Sequence, residues 1–245
     1  MLLVSAYLPD WFTYVYVNRS SNVTSQLVKK LQRISDRVRV FYSNDFADDI
    51  PLSLLPYSAL DHTDVTHLLV RSAQARLTSR DVDVVSAWMK DGDALLCSRD
   101  HPTLHNKTLV AGLLGFRPHL LLQKQLNQSM TSLITQFTRD VVQSQLHNEA
   151  LHEDEFLNNF LLPRLQEPIV CFDSVLCQSE AGIVGGARDF PSQRNDLEFV
   201  GEKFSALEEP KNFEEAQQLR NFQRHCSRYV RAIFNPAPNA HNLLA

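Results

Sequence analysis

At 245 residues, 44% hydrophobic and 21% charged, the chain has the apolar material for a sizeable core and is not a disordered polymer. The formal net charge of -4 and the sequence pI near 6.1, with Lys and Arg scattered rather than gathered into a stripe, exclude the basic footprint of a nucleic-acid binder. Four cysteines, Cys97, Cys171, Cys177 and Cys226, form no CxxC pair; they signal neither a zinc site nor a disulfide framework and read as buried free thiols.

In chain order, the β-branched and aromatic run Phe12–Val17 predicts a strand. Val23, Leu27, Leu31 and Ile34 recur at helical spacing, and Arg37–Tyr42 is a second strand, so the segment is a βαβ unit. A polar stretch then leads into a short apolar helix ending near Leu60. Val65–Val70 is a nearly continuous apolar run, the pattern of a strand buried on both faces of a parallel sheet. Thr78-Ser-Arg-Asp81 opens a helix with a capping box, Val82, Val85, Trp88 and Met89 line one face of it, and Asp91-Gly92 closes it before the strand Ala94–Cys97. From His119, apolar residues at steps of three and four through Leu122, Leu126, Met130, Leu133, Phe137 and Val141 predict one long helix.

A further helix is expected from Glu153 to Leu165, then a strand over Ile169–Phe172. Gly182–Ala187 is glycine-rich, but it lacks the GxGxxG and Walker spacings and precedes no helix, which makes it a loop. Phe213 to Ile233 forms a last amphipathic helix, acidic at its start and basic at its end. Two crossovers in succession give an α/β fold with a mostly parallel central sheet holding Phe12–Val17, Val38–Tyr42, Val65–Val70 and Ala94–Cys97. The N-terminal Met1–Pro9 has no basic n-region, and no run approaches the ~18 apolar residues of a membrane span. A soluble chain is expected, with the cytoplasm favoured over a secretory lumen. Against that stand sequons at Asn18, Asn22, Asn106 and Asn127, slightly more than the one or two expected by chance.

Several segments carry a resemblance. Arg71-Ser-Ala-Gln-Ala-Arg76 ends a buried strand, Trp88 lies on the next helix, and Ser98-Arg-Asp-His-Pro102 ends the following strand. His105, Ala111-Gly-Leu-Leu-Gly115, Glu153-Asp-Glu-Phe-Leu157, Phe172-Asp-Ser174, Phe190-Pro191 and Phe199-Val-Gly201 follow. Over about Tyr7 to Phe204 the pattern resembles GT-A-like glycosyltransferases of polysaccharide synthesis, in which the strands end in Arg-Asp-x-Asp-Ser-Arg and Met-Arg-Asp-His-Pro. The resemblance implies a GT-A-like, Rossmann-like domain over 1–205, followed by a C-terminal amphipathic helix and tail over 206–245. It also implies a nucleotide-sugar donor, a glycan or lipid-linked acceptor, and a manganese or magnesium ion between acidic residues and the donor diphosphate.

The departures fall on that metal. Ser72 and Gln74 stand where the family has aspartates, and Phe172 where it has a histidine, so the ancestral manganese or magnesium site is expected to be lost and no cofactor is expected. The family's strand and nucleotide loop upstream of Tyr7-Leu-Pro-Asp-Trp11 have no counterpart before Met1, so the domain is expected to be truncated at its N-terminus. The remaining candidates, Arg71, Arg99, Asp100, His101 and His105, are expected to converge beside a cleft at the C-terminal edge of the sheet. Arg71 and Arg99 would pair with a diphosphate, while Asp100 and His101 would hydrogen-bond sugar hydroxyls. The competing view is an Arg99–Asp100 ion pair anchoring the Pro102 turn, with the histidines capping loops. An H-x3-H metal pair at His101 and His105 is disfavoured because Pro102 prevents a helix there.

Asp154 or Glu153 would stand near the acceptor hydroxyl as general base, the alternative being an exposed carboxylate at a helix start. Two functions therefore compete. One is sugar transfer, weak or lost without the metal motif; the other is a catalytically silent GT-A-like module for binding or assembly. Neither specifies an oligomeric state.

Overall fold

Alternating β-branched and aromatic residues make Thr13–Val17 a strand, β1, which pairs in parallel with β2, Val38–Tyr42. The crossover between them is α2, Val23–Ile34, and a short helix, α1, Leu2–Tyr7, precedes the unit. The computed structural model describes residues 2–18, 23–46, 50–102, 104–105, 107–143, 153–167, 169, 171–174, 187–194 and 199–203.

The sequence places β1 and β2 in one sheet with the later strands, but they form a two-stranded sheet of their own. The second sheet has five strands in the order β3-β5-β4-β6-β7. These are β3, Leu68–Arg71; β4, Leu95–Arg99; β5, Leu113–Phe116; β6, Cys171–Asp173; and β7, Ala187–Arg188. It is parallel-rich, with one strand reversed: β5 runs antiparallel to both β3 and β4, while β4, β6 and β7 are mutually parallel. Inserting β5 between β3 and β4 has a useful consequence. Both flanking strands oppose β5, so they run the same way and deliver their C-terminal ends to one edge.

Alternation along the strands splits the side chains between two cores. Val70, Leu95, Cys97, Leu114, Phe116 and Cys171 join one large cluster with the helical segments after β5, whereas Leu96 and Phe172 face a smaller one with Val84, Val85 and Trp88. The sheet thus lies between helical layers, an α/β architecture. β3 is an edge strand with only Val70 buried, not a strand buried on both faces, and Val65–His67 lie outside it.

The helix after β3, α3, Ser79–Asp91, forms as its caps dictate. Thr78 accepts from the Asp81 amide, the Asp81 carboxylate accepts from the Thr78 amide, and Gly92 ends the helix at φ 85°. Its buried face is Val84, Val85 and Trp88, while Met89 is exposed. The long helix expected from His119 is broken. A π-helical segment, His119–Leu126, stops at Asn127 with φ 51°, and α4, Met130–Gln143, starts afresh where Asp61 accepts from the Met130 and Thr131 amides. Helical turns run from Glu153 through Phe156–Leu161 to Leu162–Arg164. The loop read over Gly182–Ala187 ends one residue sooner, because Ala187 opens β7. Its other residues, and the helix expected over Phe213–Ile233 with the whole of 206–245, lie outside the described residues.

Candidate functional site

The sheet register sets the spacing of the candidate residues. Arg71 on β3 pairs with Leu113 on β5, and the β5–β4 register, continued one residue beyond Cys97–Leu114, puts Ser98 opposite Leu113. Arg71 and Ser98 are therefore level and two strands apart, about 10 Å at the usual interstrand spacing. Arg99 and Asp100 follow directly, and Asp173 ends β6 in register with Arg99. Arg71, Arg99, Asp100 and His101 thus belong to one edge of the sheet.

Within that edge, most of the polar chemistry is already internally committed. The Asp100 side chain is fully buried and accepts from Arg80 at both oxygens (3.0 and 3.1 Å), from Arg194 at 2.5 Å, from the Ser174 hydroxyl at 2.6 Å and from the Val200 amide at 3.0 Å. Burial alone would raise its pKa, but the Arg194 and Arg80 guanidiniums and the hydrogen bonds outweigh it and hold the carboxyl below its usual range. Asp100 is the hub of a structural network and has no lone pair to spare for a sugar hydroxyl. Its partner is not Arg99, which instead forms an ion pair with Asp173.

The two histidines close the loop after β4. The Nδ1 atom of His105 accepts from the backbone amides of Asp100 (2.7 Å) and His101 (3.0 Å), and the Nδ1 of His101 accepts from the Leu104 amide at 3.2 Å. Phe199 packs against both rings. Burial, against the opposing Asp100 charge and with smaller help from His101, Arg194 and Arg99, lowers the His105 pKa to about 3, so the ring is neutral with its proton on Nε2. Both histidines are loop caps here.

Arg71 is different. It forms a 3.7 Å ion pair with Asp81 and donates through Nη1 to the Val70 carbonyl (3.1 Å) and the Leu114 carbonyl (3.4 Å). Its Nε and Nη2 atoms are buried without a hydrogen-bond acceptor, as is Nη1 of Arg194. Burial lowers the pKa of Arg71, opposed by Asp81, and burial likewise raises that of Asp81, yet a guanidinium stays charged. At this edge four arginines, Arg71, Arg80, Arg99 and Arg194, face three aspartates, Asp81, Asp100 and Asp173.

The turn after β3, at Ser72 and Gln74, is closed on itself. Ser72 Oγ accepts from the Gln74 amide at 3.3 Å and the Ser72 carbonyl from the Ala75 amide at 3.0 Å, while Gly112, at φ 74°, brings its Cα so close that a Cβ there would lie 3.1 Å from the Ser72 nitrogen. Phe172 is buried and lies 6.1 Å from the Phe190 ring, on the opposite face from Asp173, so its side chain does not reach the edge at all. These residues do not fit a hard dication. Among the described residues no group of three His, Cys, Asp or Glu is placed to hold a metal ion.

A lysine borders the same turn. Lys203 bridges to Ala75, and the Arg76 amide donates to the Glu202 carbonyl. The charge of Lys203 also reaches Glu153, whose carboxylate accepts from the buried Tyr57 hydroxyl at 2.9 Å. Burial raises the Glu153 pKa, and Asp154 adds to it. Glu153, rather than Asp154, therefore has the environment of a proton-carrying group; Asp154 contributes its backbone carbonyl to Asn158. A pocket of about 370 Å³ opens elsewhere, between Phe46, Ser58, His62 and Thr131.

Sequence reasoning missed Arg80, Asp81, Asp173, Arg194, Tyr57 and Lys203. Only Asp81, by its place in the capping box, and Asp173, inside the Phe172-Asp-Ser174 segment, left a local signal. Two pairing predictions also change: Arg99 and Asp100 do not pair with each other, and Cys97 and Cys171 are not free thiols but a disulfide joining facing residues of β4 and β6.

The fold and edge define an α/β protein with a partly neutralised arginine cluster at the C-terminal ends of its strands. Compared with protein-family profiles, curated proteins and solved structures, the chain matches none. No helix among the described residues is long and apolar enough to cross a membrane.

Proposed function

We propose that this is a GT-A-like domain whose sheet edge binds the diphosphate of a nucleotide sugar without a metal ion, with sugar transfer to a glycan or lipid-linked acceptor weak or lost. The observation that carries this reading is Arg71: a buried guanidinium whose Nη2 has no hydrogen-bond acceptor and whose Nε has only the Asp81 carboxylate at 3.7 Å, at the edge where open α/β sheets bind ligands. Lys203 supports it, since its backbone bridges to Ala75 of the same turn and its side chain would bring a second positive charge to the donor. Arg99 has no such role, since Asp173 occupies it. If transfer persists, Glu153 is the group placed to take the acceptor proton, with the Tyr57 hydroxyl holding its carboxylate.

The silent-module alternative draws on a different observation, the closed turn at Ser72 and Gln74 together with the inward Phe172. Calorimetry with a panel of nucleoside diphosphate sugars, with and without manganese, separates the readings. The metal-free reading expects binding that manganese does not improve and that Arg71→Ala and Lys203→Ala each weaken about tenfold or more, the loss of one charge-assisted contact. Donor hydrolysis in the same samples distinguishes residual transfer from silent binding. Absence of any binding at millimolar donor sinks the nucleotide-sugar assignment, and manganese-dependent turnover sinks the metal-free one.

A further inference from the structure

We propose that Asn127 is an N-linked glycosylation site and that the chain matures in an oxidising secretory compartment. Two independent features carry this, one covalent and one geometric, and neither depends on the nucleotide-sugar reading.

The covalent feature is the Cys97–Cys171 disulfide. The two residues are 74 apart in sequence but face each other across the parallel β4–β6 ladder, with Cα atoms 4.6 Å apart, inside the range a disulfide requires. Both are fully buried in the larger core. Forming the bond removes two protons and two electrons from the thiols, and a disulfide-bearing oxidoreductase takes up the electrons. Compartments that supply such an oxidant sustain structural disulfides, whereas cytosolic thiol buffers keep cysteines reduced.

The geometric feature is the sequon Asn127-Gln-Ser129. It occupies the break between the His119–Leu126 segment and α4, and all three of its residues are exposed. Asn127 is the one non-glycine residue at positive φ among the described residues, φ 51° and ψ 31°, so it sits at the turn itself. That conformation suits asparagine on local grounds, and Ser129 Oγ accepts from the Ser132 amide to start α4. Neither local role conflicts with a glycan, because attachment occurs at Nδ2, beyond the backbone and away from the serine hydroxyl. The second described sequon asparagine, Asn18, is likewise exposed, just beyond β1.

The modification is a group transfer from a lipid-diphosphate oligosaccharide. The Asn127 Nδ2 forms a bond to the anomeric carbon and gives up one proton, while the bond from that carbon to the diphosphate oxygen breaks and the lipid diphosphate departs. A polar exposed turn accepts the product without burying sugar or exposing core.

The test is a non-reducing peptide map of the protein isolated from the cells that make it, after enzymatic deglycosylation, which converts each occupied asparagine to aspartate. The expected map shows residue 127 as aspartate and a Cys97–Cys171 cross-linked peptide. The full chain secreted from cultured animal cells then provides the controls: Asn127→Gln and Ser129→Ala each lose one glycan of mass, and Ser129→Thr keeps it. Residue 127 recovered as unmodified asparagine in the native protein, or Cys97 and Cys171 recovered as separately alkylated thiols, overturns the proposal.

Discussion

His105 gives this structure a pH response on the acid side, and its size follows from two numbers. In the unfolded chain the imidazole titrates near its usual 6.5, while in the folded protein burial takes it to about 3. The folded state refuses a proton that the unfolded state accepts, so stability is whole above pH 6.5 and declines as the pH falls toward 3. At pH 5 the unfolded chain gains a factor of about 30 from protonation and the folded chain gains almost none, which amounts to about 2 kcal/mol lost relative to pH 7.5.

His105→Asn isolates that contribution. The asparagine Oδ1 lies roughly where Nδ1 does and still accepts the Asp100 and His101 amides, but it cannot be protonated. Urea unfolding at pH 7.5 and at pH 5 should show the wild type losing about 2 kcal/mol more than the variant between the two conditions. Taking the difference cancels the other histidines, including His67, whose pKa burial also lowers. His105→Ala should be costly even at pH 7.5, by about 1–3 kcal/mol for each amide left without an acceptor. An equal pH slope in wild type and asparagine variant would show that His105 is not the buried neutral cap described above.

Two further substitutions probe the same network from its other sides. Asp100→Asn leaves the Arg80 and Arg194 guanidiniums buried without their carboxylate, and should cost about 3–5 kcal/mol in urea unfolding; a loss below about 1 kcal/mol would contradict the hub role. Gly201→Ala should cost about 2–4 kcal/mol, because the residue has φ 85° and an added Cβ would meet Leu113 Cδ2 at 2.5 Å, displacing the segment whose Val200 amide binds Asp100; a change in melting temperature of less than about 2 °C would refute it.

The elements legible in the sequence were those with local causes. β1, α2, β2, α3 and β4 follow from periodicity of two or 3.6 residues, and α3 from caps at Thr78 and Gly92. β5 was not legible: its four residues follow a glycine turn, carry no alternation long enough to read, and gain their strand character from lying between β3 and β4. The break at Asn127 hid inside an uninterrupted apolar repeat, since Leu126 and Met130 keep helical spacing across a turn that reverses φ. At the site, the edge was legible and its wiring was not. Arg80, Arg194 and Asp173 reach the Arg99–Asp100 corner from 20 to 94 residues away, and no sequence spacing encodes such partners.

The wiring also bears on whether this edge could hold a metal ion. A carboxylate pair at positions 72 and 74 would neutralise positive charge at the edge; with Ser72 and Gln74 there, Arg71 has only Asp81 as a charged partner and its Nη2 has no hydrogen-bond acceptor. Phe172 completes a different interaction. Its ring packs with Phe190 beneath Arg80 and Arg188, whose guanidinium carbons lie 3.9 Å from the Phe190 centroid and 5.5 Å from the Phe172 centroid. A histidine at that position would sit in the apolar layer with Val84, Val85 and Trp88, not at the edge with Asp173. Using position 172 as a metal ligand at the edge would therefore require turning a strand residue to the other face, which a side-chain exchange cannot do because facing is fixed by the period of two and, on β6, by the Cys97–Cys171 bond one residue earlier.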